Sequence, residues 1–411
     1  MSDWPSLPEL FSAWYQGSET GRDPFLIDTD LDRLRARVDD YFDVRLSHEQ
    51  IAERYPIVMK DTARFDAKAT RDALLKRGGP IEAGFVRHAY RPFDSRWLYW
   101  EKDTKLLREK SPHYPEHVFE ENLWFSAAQH LRRGAEEPQA CFTSQLASRH
   151  LIERGTSMFP AWLRDEDMGS DGNTTRRANL TAAAQSYLDR LNASVEDLFH
   201  HVLAVLHDPS YRQANAGALR MEWPRIPLPG WPDGELEDAA ESLTRSAALG
   251  RELARLLDPD VPVIGVTQLP LRADIAAIAV PATANGRNMA GEDFAITAGW
   301  GHHGPSDAVM PRKGSAVERA FTPKERAALS DALPQLGETT FDIHLNANAF
   351  WRNVPATVWQ YKLGGYQVLK KWLSYREQSV LQRPSRPEEV QQFAEIARRI
   401  AAILMIASSP S

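Results

Sequence analysis

The chain has 411 residues, 43% of them hydrophobic and 26% charged, and its 49 Lys and Arg against 56 Asp and Glu leave a formal net charge of −7. Its 12 Trp, 11 Tyr and 16 Phe supply an aromatic core, which excludes disorder as a general description. Cys141, the lone cysteine, excludes an internal disulfide, a cysteine zinc cage and a protein-ligated iron–sulfur cluster. The acidic balance argues against non-specific coating of nucleic acid and leaves a directed contact open.

No run reaches the roughly 18 apolar residues of a membrane-spanning helix. The opening residues carry neither the basic nor the apolar part of a secretion signal, so a cytoplasmic protein with no membrane partner is expected. In chain order, residues 30–42 place Leu31, Leu34, Val38 and Phe42 at three- and four-residue steps, the period of a helix. Ser47 to Gln50 fits a capping box opening the next helix. From 81 to 100 the pattern turns aromatic and extended, and Pro92 forbids a helix interior. The polar stretch 165–179 contains glycine and shows no hydrophobic period, so it predicts a loop.

That loop separates a first part, 1–164, from a middle part, 165–235. The middle part carries a helix capped by Ser194 and Asp197 that runs to His207, then a proline-rich strut over 223–232. In the last part, 236–411, an amphipathic helix is predicted over 236–257 and strands over 261–268, 275–280, 294–298 and 339–345. Thr322-Pro323-Lys324-Glu325 opens a short helix. A final helix over 387–406 is expected to bury Val390, Phe393, Ala397, Ile400 and Leu404. The three parts are also compatible with one continuous module. Segregated helices and strands predict an α+β fold, mixed sheet lobes with flanking helices and a C-terminal helical segment.

Several chemistries lack their motif. There is no Walker-type phosphate loop, no dinucleotide fingerprint set between a strand and a helix, no G-x-S-x-G and no H-E-x-x-H. The Asn-Pro-Pro-Tyr or Asp-Pro-Pro-Tyr of amino-methyltransferases is missing too. Two constellations keep enzyme-like residue types. Gly301-His302-His303-Gly304 with Asp307 has metal-ligand donors, although adjacent histidines on such a loop are more often surface residues. Asp94…Asp103-Thr104-Lys105 has the acid–acid-x-Lys pattern of a magnesium-dependent nuclease, in which two carboxylates hold the metal and the lysine orients water. That pattern is short and common. His200, His201 and His207, on the amphipathic helix, read as packed or capping residues.

Four segments together carry a family resemblance: Trp4…Leu7-Pro8-Glu9-Leu10-Phe11 with Gly21-Arg22-Asp23-Pro24-Phe25; Ala89-Tyr90-Arg91-Pro92-Phe93-Asp94-Ser95-Arg96-Trp97-Leu98-Tyr99; Leu198 to Arg212, running on through Trp223-Pro224-Arg225-Ile226-Pro227-Leu228-Pro229; and Tyr361-Lys362-Leu363-Gly364-Gly365-Tyr366 to Leu373. In this order and spacing they resemble the C-terminal target-recognition domain of type ISP restriction–modification enzymes, over about residues 4–405. The resemblance implies a double-stranded DNA reader without catalytic residues of its own. A separate methyltransferase and nuclease–translocase, in cis or in trans, would modify adenine or cut. The resemblance places S-adenosylmethionine only in that partner or upstream domain. The nuclease, helicase and methyltransferase segments are not among these 411 residues. A domain of a longer polypeptide and a stand-alone specificity protein therefore both stay open. A magnesium-dependent nuclease using Asp94, Asp103 and Lys105 is the rival reading from a different class, and a protein-interaction scaffold is the third.

For a DNA reader the cations matter most. Within 87–110, Tyr90, Arg91, Phe93, Asp94 and Arg96 favour a structural motif of rings and ion pairs, whereas Lys105 and Arg108 suit phosphate contact. Lys362, Lys370, Lys371 and Arg376 form a second phosphate-contact set, with a helix start after Gly364-Gly365 offering N–H groups. Base edges are read by Arg or Lys on guanine and Asn or Gln on adenine. Asn285, Arg287, Asn288, Arg312, Lys313, Asn348 and Arg352 are the candidates, in segments that also have the composition of surface turns.

Overall fold

The computed structural model describes residues 4–111, 113–131, 134–153, 155–168, 174–235, 238–304 and 308–407. They fall into two compact units, the first within 1–131, 140–199 and 221–240 and the second within 132–139, 200–220 and 241–411. Both mix helices with small sheets, an α+β architecture. Among the described residues no helix is long and apolar enough to cross a membrane.

The first unit contains β1 (Tyr15–Gln16), β2 (Ile27–Asp28), β3 (Phe85–Arg91), β4 (Asp94–Tyr99), β5 (Trp124–Ala127), β6 (Phe142–Thr143), β7 (Leu146–Ala147), β8 (Ser157–Pro160), β9 (Trp162–Met168) and β10 (Thr174–Ala178). Two four-stranded sheets result, ordered β2-β4-β3-β7 and β1-β8-β5-β6. The helix Leu31–Phe42 starts at Asp30, whose side chain accepts from the N–H groups of Asp32 and Arg33, and it buries Leu34, Val38 and Phe42. The capping box of Ser47 and Gln50 opens His48–Arg54 as expected. Buried Arg71 fastens these elements, donating to the carbonyls of Tyr41, Asp43 and Leu46 at 2.8 to 2.9 Å. Rings fill the second sheet's core. Phe125 stacks on Phe159 at 5.2 Å and meets Phe199 edge-on at 5.1 Å. Each such pair contributes about 1 kcal/mol beyond the area it buries.

The segment 165–179 is not a loop where it is described. β9 and β10 pair antiparallel, with Arg177 opposite Leu163, and 169–173 lie outside the described residues. The β10 side chains are mostly exposed, so no hydrophobic alternation marked the strand. Arg176 over Trp162 at 4.8 Å and Arg177 with Asp165 at 3.2 Å join the pair instead.

The second unit contains β11 (Val280–Thr283), β12 (Gly301–His303), β13 (Val309–Pro311), β14 (Ala316–Ala320), β15 (Thr339–His344), β16 (Ala349–Pro355), β17 (Lys362–Leu363) and β18 (Tyr366–Gln367). Its main sheet is antiparallel, ordered β11-β16-β15-β14. The last helix, Pro387–Ala407, packs through Phe393 onto Trp351 of β16, the rings stacked at 4.0 Å. It buries Val390, Phe393, Ala397 and Ile400. Leu404 is only half-buried, and Ile403 is buried beside it. The helix Ala239–Leu257 approaches so closely that a Cβ on Gly250 would lie 1.9 Å from the carbonyl oxygen of His200. Leu236, the expected first residue of that helix, lies outside the described residues.

Two expected strands are absent. At 261–268 the chain turns back on itself, and the Val263 carbonyl accepts from the N–H groups of Val266, Thr267 and Gln268. Pro262 has no N–H for a ladder, and Gly265 takes a positive φ of 80°. At 294–298 the N–H groups of Thr297 and Ala298 both go to the Leu345 carbonyl, so no ladder forms. The expected strand over 275–280 is a helical turn, Ala273–Ala276, with β11 beginning only at Val280.

Candidate nucleic-acid interface

In the second unit, Gly364 (φ 58°) and Gly365 turn β17 into β18, and the helix Val368–Arg376 follows, two residues later than the sequence suggested. The Val368 N–H is taken by the Tyr361 carbonyl at 3.2 Å, so the helix start is not the open N–H cluster expected. The four cations of this segment divide. Lys362 is exposed and pairs with Glu137 at 2.7 Å, and Lys370 is half-buried. Lys371 donates to the Val309 carbonyl at 3.1 Å and lies 4.7 Å from the centre of the Tyr375 ring. Arg376, expected at a phosphate, is only 2% exposed and stacks over Trp372 at 4.3 Å. It fills the interior because Trp372 is on the packed side of the same helix.

Lys105 and Arg108, in the first unit, ride on a fastened loop. Arg22, buried, donates to the Leu106 carbonyl at 2.8 Å, and Arg108 N–H bonds the Thr20 carbonyl. Both side chains point outward, and Arg108 meets Glu19 at 3.2 Å while remaining 63% exposed. In the β3–β4 hairpin, Asp94 accepts from Arg96 at 2.6 and 3.0 Å, and Tyr90 lies between the guanidinium groups of Arg91 and Arg96 at 4.1 and 4.0 Å. The turn places Phe93 at a φ of 57°, with its ring buried.

Asp94 begins β4 and Asp103 lies past its far end. Five strand steps separate the ends of β4 by about 16 Å, whereas two carboxylates on one metal lie within about 5 Å of each other. The nuclease pattern is therefore not assembled. Gly301 to His303, read as a loop, form β12 of the β12–β13 hairpin, and Asp307 lies outside the described residues. No cluster of three metal-ligating side chains occurs among the described residues.

The base-readout candidates gather largely at one edge of the second unit's sheet. After β11, Asn285 builds the turn. Its Oδ1 accepts from Thr283 Oγ1 at 3.0 Å and from Arg287 N–H at 3.3 Å, with Gly286 at a φ of 74°. Arg287 and Asn288 project into a groove of about 460 Å³ that Thr283, Phe350 and Arg352 also line. The β15–β16 turn is fixed by Asn346, which donates to the carbonyls of Asp293 and Ala295 and accepts from the N–H groups of Asn348 and Ala349.

Sequence reasoning missed the residue that joins these pieces. Asp293 is 5% exposed and accepts from Arg287 Nη1 and Nη2 at 2.5 and 2.9 Å, from Asn348 Nδ2 at 2.6 Å and from Ala290 N–H at 2.8 Å. The Arg287 guanidinium, with those amide donors, holds its pKa at about 2. Its local signal was an acid six residues after an arginine, just before the segment 294–298 that was read as a strand. Arg312 and Lys313 are exposed in the β13–β14 connection and do not line the groove. Gly314 fixes that connection, since a Cβ there would come within 2.0 Å of the Trp300 ring.

The second unit thus holds Arg287 and Asn348 on one shared carboxylate at the edge of its antiparallel sheet. The chain belongs to the family of Type ISP C-terminal specificity domains, whose model matches residues 9–402. Solved structures with the same fold include the DrdV–DNA complex (TM-score 0.61, 21% identity), which covers 98% of this chain and 36% of that one. A nuclease-deletion mutant of the Type ISP restriction–modification enzyme LlaGI with a DNA substrate mimic has TM-score 0.58 at 14% identity, over 100% of this chain and 29% of that one. The ATP-dependent Type ISP enzyme LlaBIII bound to DNA has TM-score 0.57 at 15% identity, over 97% of this chain and 23% of that one. The chain thus spans about a quarter to a third of the length of the solved proteins it matches. Among curated proteins none matches it.

Proposed function

We propose that this chain is a sequence-specific double-stranded DNA recognition module that positions a separate adenine methyltransferase or nuclease of a restriction–modification enzyme. The observation that carries this reading is the match to the specificity-domain family over residues 9–402, with DNA-bound structural neighbours covering nearly all of this chain. Phosphates are met by the exposed cations Lys105, Arg108 and Lys362 and by the half-buried Lys370, which set register without reading sequence. Base edges are met by Arg287, Asn288, Asn348 and Arg352, and by Arg312 and Lys313. Each bidentate contact supplies roughly 1–3 kcal/mol of discrimination. The partner methyltransferase holds S-adenosylmethionine and flips the base, and this chain contributes the choice of site.

The test is selection from randomised duplexes at ~50 and ~200 mM salt, with the bound DNA sequenced. The salt slope counts phosphate contacts. An enriched motif is the expected result. Absence of binding at the lower salt would overturn the reading and favour a scaffold, and magnesium-dependent cleavage lost in Asp103→Asn would favour a nuclease.

A further inference from the structure

Arg287, Asp293 and Asn348 come from three separate segments and meet at one carboxylate. What they leave uncommitted is specific. An arginine has five N–H donors in a fixed plane. In Arg287, Nη1 serves Asp293 and the Asn288 carbonyl (2.9 Å), and one Nη2 hydrogen serves Asp293. Among the described residues, Nε–H and the second Nη2–H remain uncommitted. They lie side by side on one edge of the guanidinium, a parallel pair of donors that matches O6 and N7 of guanine.

Asn348 has the complementary pattern. An ionised carboxylate only accepts, so the group facing Asp293 Oδ1 is the amide NH₂. This leaves Asn348 with its carbonyl Oδ1 and one N–H, an acceptor beside a donor, which matches N6–H and N7 of adenine. Nη2 of Arg287 and Nδ2 of Asn348 both bond the same Oδ1, at 2.9 and 2.6 Å, so they are at most about 5.5 Å apart. Base pairs stack about 3.4 Å apart, so the two groups suit neighbouring pairs better than pairs two steps apart. Arg287 is 47% exposed while the Asp293 side chain is 6% exposed, which sets the carboxylate beneath and the reader above.

We infer that Arg287 and Asn348 read a G·C pair and an adjacent A·T pair, with Asp293 as the positioning residue that fixes both. The inference rests on the DNA-reading function proposed above. Fixing a long, flexible arginine costs conformational entropy, and here that cost is met on folding instead of on binding.

The experiment is the same randomised-duplex selection, run on the full chain and on Arg287→Ala, Asn348→Ala and Asp293→Asn, each first shown to melt cooperatively. A motif with adjacent G·C and A·T pairs is expected. Arg287→Ala relaxes only the G·C position, by roughly 5- to 150-fold, and Asn348→Ala relaxes only its A·T neighbour by a similar factor. Asp293→Asn weakens both positions together, a pattern that a general loss of packing does not produce. If Arg287→Ala fails to fold, Arg287→Lys keeps the charge, loses the fork and relaxes the same position. A motif lacking such a step, or one unchanged in the Arg287 variants, overturns the inference while leaving the DNA-reading function standing. Binding without any enriched motif, or no binding, overturns both.

Discussion

At the tip of the β3–β4 hairpin Arg96 holds Asp94 through Nε and Nη2, and after β11 Arg287 holds Asp293 through Nη1 and Nη2. Arg96 turns its paired-donor edge inward onto an aspartate 1% exposed, and its guanidinium lies over the Tyr90 ring. Arg287 bonds its carboxylate end-on and leaves the same edge uncommitted among the described residues, on a side chain that lines a groove. The residue types are alike, and the edge used decides whether an arginine closes a core or faces a ligand.

The largest expected effect is at the closed pair. Asp94→Ala removes the 1%-exposed carboxylate that accepts from Arg96, whose side chain is 12% exposed. Breaking a buried pair in this way costs about 3–5 kcal/mol, measured by equilibrium denaturation. A loss below about 1 kcal/mol would break the comparison. The two regions also separate by pH. His88, on β3, is buried and neutral, with its pKa pushed by burial down to about 3 from 6.5. Between those values the unfolded chain carries the extra proton, so stability is intact above about 6.5 and falls as pH drops towards 3. His88→Gln should flatten that window in a stability–pH titration. Asp293, at about 2 against 3.8 unfolded, is ionised in the fold. Its contribution is present above 3.8 and is lost only as pH falls from there towards 2.

Asp293→Ala has a smaller effect on stability in the same denaturation experiment, since the Arg287 side chain that loses its carboxylate is 47% exposed and water can solvate it. Smallest are Lys370→Ala and Arg108→Ala, within about 0.5 kcal/mol in stability. Each is expected to lower the salt slope of DNA binding by about 0.9. An unchanged slope would remove that residue from the phosphate set.

Local chemistry was legible where the partners are sequence neighbours. Asp30, Ser47 and Thr322 cap helices within three residues, and the strand β15 forms where Phe341 and Ile343 alternate in sequence, although a register shift between them leaves Phe341 half-buried and buries Thr340. The stretches 261–268 and 294–298 have strand composition, and their backbone donors go to turn carbonyls instead. Strand existence depends on a partner strand, and composition does not reveal one. Asp293 was invisible for a related reason, since its bond to Asn348 spans 55 residues.

The sequence by itself determined the α+β class, the bounds of the helices at 31–42, 195–207 and 387–407, and the specificity-domain family, because caps, periodicity and long motifs are properties of contiguous residues. Only the tertiary structure decided which cations reach solvent. Lys370 and Arg376 belong to one basic helix, yet the first keeps a surface and the second is covered by Trp372. Exposure is set by what packs against a side chain, and for Arg287 it was set by a carboxylate that fixed one edge of a side chain left half-exposed.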